Sequence, residues 1–82
     1  MADLSSRLVA FVQQDVCNNA IELSGETDLL LTGAVDSLGV IRITQWLEDE
    51  TGIEVDPGDV TLENFQTINR MIVYVEKQLA NR

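Results

Sequence analysis

Few side chains in this sequence can do covalent chemistry, and the best placed of them is Ser37. It stands in Asp36-Ser37-Leu38, behind the run Leu30-Leu31-Thr32-Gly33-Ala34-Val35, and a helix-period pattern begins directly after it. A serine at a loop-to-helix junction is an exposed hydroxyl on a rigid mount, so it can act as a nucleophile, serve as an attachment point, or simply cap the helix. A nucleophile needs a base beside it. The chain has no histidine, so no Ser-His triad can form within it, and Lys77, the only lysine, falls in the last helix. An enzyme built on Ser37 and a carboxylate base is therefore the least supported reading. Capping by Asp36 or Ser37 alone is the plain structural alternative.

The elements that must position this serine follow from apolar spacing. Asp3 or Ser5 can cap a first helix in which Leu4, Leu8, Phe11, Val12 and Val16 recur at helical intervals, running to about Cys17 before Asn18 and Asn19. A long connection, Ala20 to Val35, follows, punctuated by Ser24-Gly25 and Thr32-Gly33; one or two of Leu29, Leu30 and Leu31 should plug the core and pin it. The second helix starts at Asp36 or Ser37 and stops at Thr51-Gly52. At about 100° per residue, Val40, Ile43 and Leu47 form its core face with Trp46 at the margin. Leu38 and Ile41 lie outside with Arg42, Gln45, Glu48 and Asp49, an apolar strip in a polar surface next to Ser37. Beyond the Pro57-Gly58 turn, Val60, Leu62 and Phe65 suggest a short helical stretch packing beneath the bundle. Thr67 can cap a last helix carrying Ile68, Met71, Ile72, Val75 and Leu79 on one face. The expected fold is all-α: a small antiparallel four-helix bundle with three longer helices, a short third helix and a long first loop.

Composition narrows the function further. With 82 residues and no repeat, the chain is expected to be a single domain over residues 1–82 with one core. Fourteen acidic against 5 basic residues give a net charge of -9, a field that repels phosphate backbones and anionic lipid. Neither nucleic acid nor a membrane is expected as partner; protein partners should carry basic patches. Cys17 is the only cysteine, so an intrachain disulfide is impossible, and zinc and iron–sulfur sites lack their usual ligands. We expect no metal, and Cys17 as a small packing residue. Met1-Ala2-Asp3-Leu4-Ser5 does not resemble a leader and no run approaches membrane-spanning length, so a cytoplasmic monomer is expected.

Gly33-Ala34-Val35-Asp36-Ser37-Leu38, followed by Leu47-Glu48-Asp49-Glu50-Thr51-Gly52-Ile53-Glu54-Val55, resembles the acyl carrier protein family in order and spacing, and the likeness covers almost the whole chain. It implies that Ser37, between Asp36 and Leu38, receives a covalent 4'-phosphopantetheine arm from coenzyme A through a separate phosphopantetheinyl transferase. The arm's thiol would hold acyl groups as thioesters and shuttle them between biosynthetic enzymes, the carrier itself having no catalytic residue. A phosphodiester there would meet the unpaired N–H groups and positive dipole of a helix start, although the Asp36 carboxylate would crowd it with like charge. By position, the resemblance makes Leu38, Ile41, Arg42, Gln45, Glu48 and Asp49 the candidate partner-recognition face, and a loading ligase and downstream enzymes with basic docking patches the partners.

The sequence also departs from the carriers of fatty acid synthesis, which commonly have an acid two residues after the serine and another three beyond it. Here those positions are Gly39 and Arg42, and a basic residue within the face should change which enzymes dock. The segment Asp59 to Phe65 looks longer than the housekeeping pattern, and Phe65-Gln66-Thr67-Ile68-Asn69-Arg70 resembles stand-alone carriers of specialised pathways. The alternatives are an aminoacyl, D-alanyl or peptidyl carrier charged by an adenylating ligase and, from another class, an acidic interaction module that is never modified.

Overall fold

Each α-helix of the protein begins where the sequence supplies a side-chain cap. The computed structural model describes residues 3–19 and 22–81; Ala20 and Ile21, at the head of the long connection, lie outside the described residues. The Asp3 carboxylate accepts from Ser6 N–H at the start of α1 (Leu4–Phe11), and the Asp36 carboxylate from Gly39 N–H at the start of α2 (Ser37–Thr51). Thr61 and Thr67 hydroxyls do the same for α3 (Leu62–Phe65) and α4 (Ile68–Ala80). Such caps satisfy amide donors that have no partner inside the helix. A single 3₁₀ turn, Pro57–Asp59, precedes α3, and the described residues contain no strand.

The first helix continues to Val16, but not as an α-helix. Val12–Val16 widens into a π-helical turn, in which Cys17 N–H donates to Val12 O at 2.8 Å. The chain then leaves through Asn18 and Asn19 at φ 53° and 60°, left-handed conformations that asparagine tolerates better than most residues. At the far end of α2, Gly52 takes φ 76° and its N–H donates to Glu48 O, the glycine stop read from the sequence.

The core is shared among all these parts: Leu8 and Val12 from the first helix, Ile43 and Leu47 from α2, Phe65 from α3, and Ile68, Met71, Tyr74 and Val75 from α4. The long connection adds Leu29 and Val35, both buried, while Leu30 is half-buried and Leu31 is 70% exposed. One leucine is thus the plug. Hydrogen bonds hold it in place: Leu29 N–H donates to Gln66 O at 2.8 Å, Gln66 Nε2 to Asp28 Oδ2 at 2.8 Å, and Asn69 N–H to Gly25 O at 3.0 Å. The loop is therefore latched to the α3–α4 junction. The bond from the Gln66 side chain, followed by that from Leu31 N–H, holds the Asp28 carboxyl below the usual carboxylate range.

Two apolar expectations are corrected. Of Val60, Leu62 and Phe65, only Phe65 is buried; the other two are exposed, because α3 is barely one turn long and presents a single residue inward. On α4, Leu79 is exposed near the helix end, and Tyr74 takes a core place that apolar spacing alone did not assign. Its hydroxyl donates to Asp59 Oδ2 at 2.8 Å, which lets a polar tip sit at the edge of the core. Ile72 and Val40 are half-buried.

Candidate functional site

Ser37 is the first residue of α2 and is exposed. The question of which residue caps this helix has a definite answer. Asp36 Oδ1 accepts from Gly39 N–H at 2.8 Å, and the Asp36 carbonyl accepts from Val40 N–H at 2.9 Å. The Ser37 hydroxyl makes no hydrogen bond among the described residues, nor do the N–H groups of Ser37 and Leu38. A free hydroxyl thus stands beside two free amide donors at the positive end of a 15-residue helix. The Asp36 carboxylate, which like charge would set against an anionic substituent, is turned into the cap. Lys77 forms no hydrogen bond to Ser37.

Gly39 explains how the serine is mounted. It is buried, and a Cβ placed on it would lie 2.8 Å from Cγ1 of both Val16 and Val35. The π-helical turn and the end of the loop therefore press directly on the first turn of α2. The missing acid two residues after Ser37 is a packing matter: position 39 faces inward and contributes nothing to a docking face. Cys17 belongs to the same junction, buried, with its thiol donating to Ala34 O at 3.5 Å and its pKa pushed up by burial.

The outer face of α2 divides into two parts. Leu38 and Ile41 are 71% and 51% exposed, and Gln45 and Asp49 are exposed as well. Glu48 is only half-buried and its carboxylate accepts from Val55 N–H at 2.8 Å, tying down the segment after the helix. Arg42 is exposed but held by the first helix: it donates to Asp15 O of the π-helical turn at 2.6 Å, and its guanidinium lies 6.0 Å from the ring centroid of Phe11 in α1. Phe11 in turn stacks on Trp46 at 5.3 Å and 18°, and Arg7 lies over Trp46 at 5.7 Å while pairing with Glu50. Each ring of the stacked pair thus has a guanidinium on it, and the assembly stitches α1 to α2. Sequence reasoning missed this assembly. Its signal was present: Arg7 and Phe11, and Arg42 and Trp46, are each four residues apart and so share a helix face.

A hollow of about 740 Å³ is lined by Gly52 to Pro57 with Asp59 and Gln78. It lies at the opposite end of α2, roughly 20 Å of helix from Ser37 at 1.5 Å per residue, so it does not meet the serine. No cluster of metal-ligating side chains exists among the described residues, and no helix among them is long and apolar enough to cross a membrane.

Residues 6–75 match the family described as phosphopantetheine attachment site, a stretch that holds α2, α3 and most of α1 and α4. Carrier domains of this kind work with a phosphopantetheinyl transferase and with biosynthetic enzymes, and are generally not catalysts themselves. With that match over most of its length, on four helices around one core, the chain belongs to the phosphopantetheine attachment site family, an acyl carrier protein family whose members carry covalently attached 4'-phosphopantetheine.

Proposed function

We propose that Ser37 is the attachment residue and that the chain is a single carrier domain, residues 1–82, with its helices in antiparallel order, working as a cytoplasmic monomer. The observation that supports Ser37 is its hydroxyl, which is exposed and without a hydrogen-bond partner because Asp36 performs the capping. The other serines inside the matched stretch offer less. Ser24 is tied to Thr27 and Glu26, and Ser6 sits within the first turn of α1 with no Asp-Ser-Leu setting.

Loading by the transferase would join the Ser37 oxygen to the phosphorus of the pantetheine phosphate, break the pyrophosphate bond of coenzyme A so that adenosine 3',5'-bisphosphate leaves, and pass the hydroxyl proton to a base of the transferase. When bound, the arm supplies a thiol for thioester chemistry; the protein does the positioning. The free N–H groups of Ser37 and Leu38 would be available to the linking phosphate, and the first turn, pressed by Val16 and Val35 at Gly39, would give the arm a rigid root. Leu38 and Ile41 present an apolar patch beside it, and Gln45 and Asp49 a polar continuation for a partner with a basic rim. Glu48 and Arg42 contribute to that face from positions already bonded to the protein itself. The chain has no activated nucleophile of its own and catalyses nothing.

The cargo we favour is an acyl group of a dedicated pathway, delivered by a loading ligase; aminoacyl, D-alanyl or peptidyl cargo is the competing reading. Incubation with coenzyme A and a broad-specificity phosphopantetheinyl transferase should add the mass of one arm to the wild type and none to Ser37→Ala. Loading of both, or of neither by an enzyme active on another carrier, overturns the assignment. Thioester loading of the product with acyl donors against amino acids then separates the cargo classes.

A further inference from the structure

The basic residues are unevenly used. Arg7 and Arg42 are committed to the α1–α2 stack. Arg70 and Lys77 stand instead on α4, both exposed, with Val73 between them at 52% exposure. Positions i, i+3 and i+7 share one stripe of a helix, so the order along it is cation, apolar side chain, cation. This stripe borders a hollow of about 490 Å³ between α3 and α4, completed by Glu63, Asn64 and Asn69. Arg70 is partly answered, donating to Glu63 O at 3.5 Å and helping to hold the Asp28 carboxyl low. Lys77 makes no ion pair among the described residues.

On a chain of net charge -9, this is a local inversion of sign. Screening at physiological salt limits charge interactions to about 8 Å, so a group in the hollow responds to its own lining, the two cations Arg70 and Lys77 against the single acid Glu63, more than to distant acids. An anionic membrane would meet the remaining acidic surface and be repelled, and a bare anion would leave Val73 unused. A peptide segment with two carboxylates about 10 Å apart, the length of seven helical residues, and an apolar side chain between them matches all three positions. We infer that the α3–α4 hollow is a second docking surface, which takes an acidic segment of a partner protein with carboxylates on Arg70 and Lys77 and an apolar side chain on Val73. It shares no residue with the Ser37 face. A partner that grips here while its catalytic part addresses Ser37 gains effective concentration without a stronger contact at either place.

The test uses the 82-residue chain, labelled with ¹⁵N, and the blocked peptide Glu-Ala-Ala-Leu-Ala-Ala-Ala-Glu. Saturable shifts confined to amides of residues 63–77, with Kd on the order of 1 mM, are expected. The counterpart peptide with glutamine for both glutamates should not bind, and Arg70→Glu with Lys77→Glu should weaken binding at least about tenfold. A urea titration confirms that this variant folds; if it does not, Arg70→Gln with Lys77→Gln takes its place. No saturable shift, shifts centred on α2, equal binding by the glutamine peptide or the variant, or the same shifts from inorganic phosphate alone overturns the inference. Ser37→Ala should bind the peptide like wild type, so this result and the attachment of the arm fail or stand separately.

Discussion

The Asp36 carboxylate and the Gly39 N–H, 2.8 Å apart, settle the division of labour at the head of α2: one residue caps, and its neighbour is left free. Because the cap belongs to Asp36, Asp36→Ala should lower stability by about 0.5–2 kcal/mol, while Ser37→Ala should stay within about 0.5 kcal/mol of wild type. Urea titrations of the two variants check this. Equal losses would mean that the hydroxyl shares in the cap, and the hydroxyl's freedom would have to be given up.

Gly39 meets Val16 and Val35 too closely to accept a side chain without movement. Alanine would gain about 0.5–1 kcal/mol of helix propensity but meets two stiff β-branched side chains, and overpacking costs about 1–3 kcal/mol. We expect Gly39→Ala to be a net destabilisation and Gly39→Asp, which restores the acid of fatty acid carriers, to be worse. A variant as stable as wild type would show that the loop end yields freely, and the rigid mount of Ser37 would lose its basis.

How much of this could be read from residues alone depended on the range of the interaction. Caps, the Gly52 stop, the buried Ile43 and Leu47, and the exposed Leu38 and Ile41 rest on local spacing, and the structure agrees with each. The free Ser37 hydroxyl rested on a choice between two adjacent capping residues, which only coordinates separate. Leu29 rather than Leu31 became the plug because Gln66, far along the chain, supplies the backbone acceptor. Gly39 looked like a change to a docking face; its contacts with Val16 and Val35 make it part of the scaffold, whereas Arg42 stays exposed on that face while Asp15 and Phe11 hold it from the first helix.

Glu48 and Asp49 are adjacent acids with different duties. Glu48 accepts from the part-buried Val55 N–H, so Glu48→Lys should cost about 1–3 kcal/mol, the penalty for a donor left without its partner. Asp49 is exposed, and Asp49→Lys should leave stability within about 0.5 kcal/mol while lowering kcat/KM for arm transfer by a transferase with a basic docking patch. Denaturant midpoints and transfer rates for the two variants separate these roles. An Asp49→Lys protein loaded at the wild-type rate would remove that position from the docking face.

Tyr74 gives the fold an alkaline limit. Burial and the Asp59 carboxylate that accepts its hydrogen bond push its pKa from 10.0 up to about 12. A phenol whose pKa is raised by folding binds its proton more tightly in the native state, so its contribution is fully present below the unfolded value near 10.0. It is lost as pH rises through the folded value of about 12. Tyr74 is the only tyrosine, so phenolate absorbance near 295 nm reports on it alone. We expect no ionisation of native protein near pH 10, then a steep rise coinciding with loss of helicity as the chain unfolds. Tyr74→Phe should be less stable at neutral pH, where Asp59 loses its donor, yet show a flatter decline above pH 10. A native-state titration centred at 10.0, with helicity intact, would show that the Tyr74–Asp59 bond does not hold in solution.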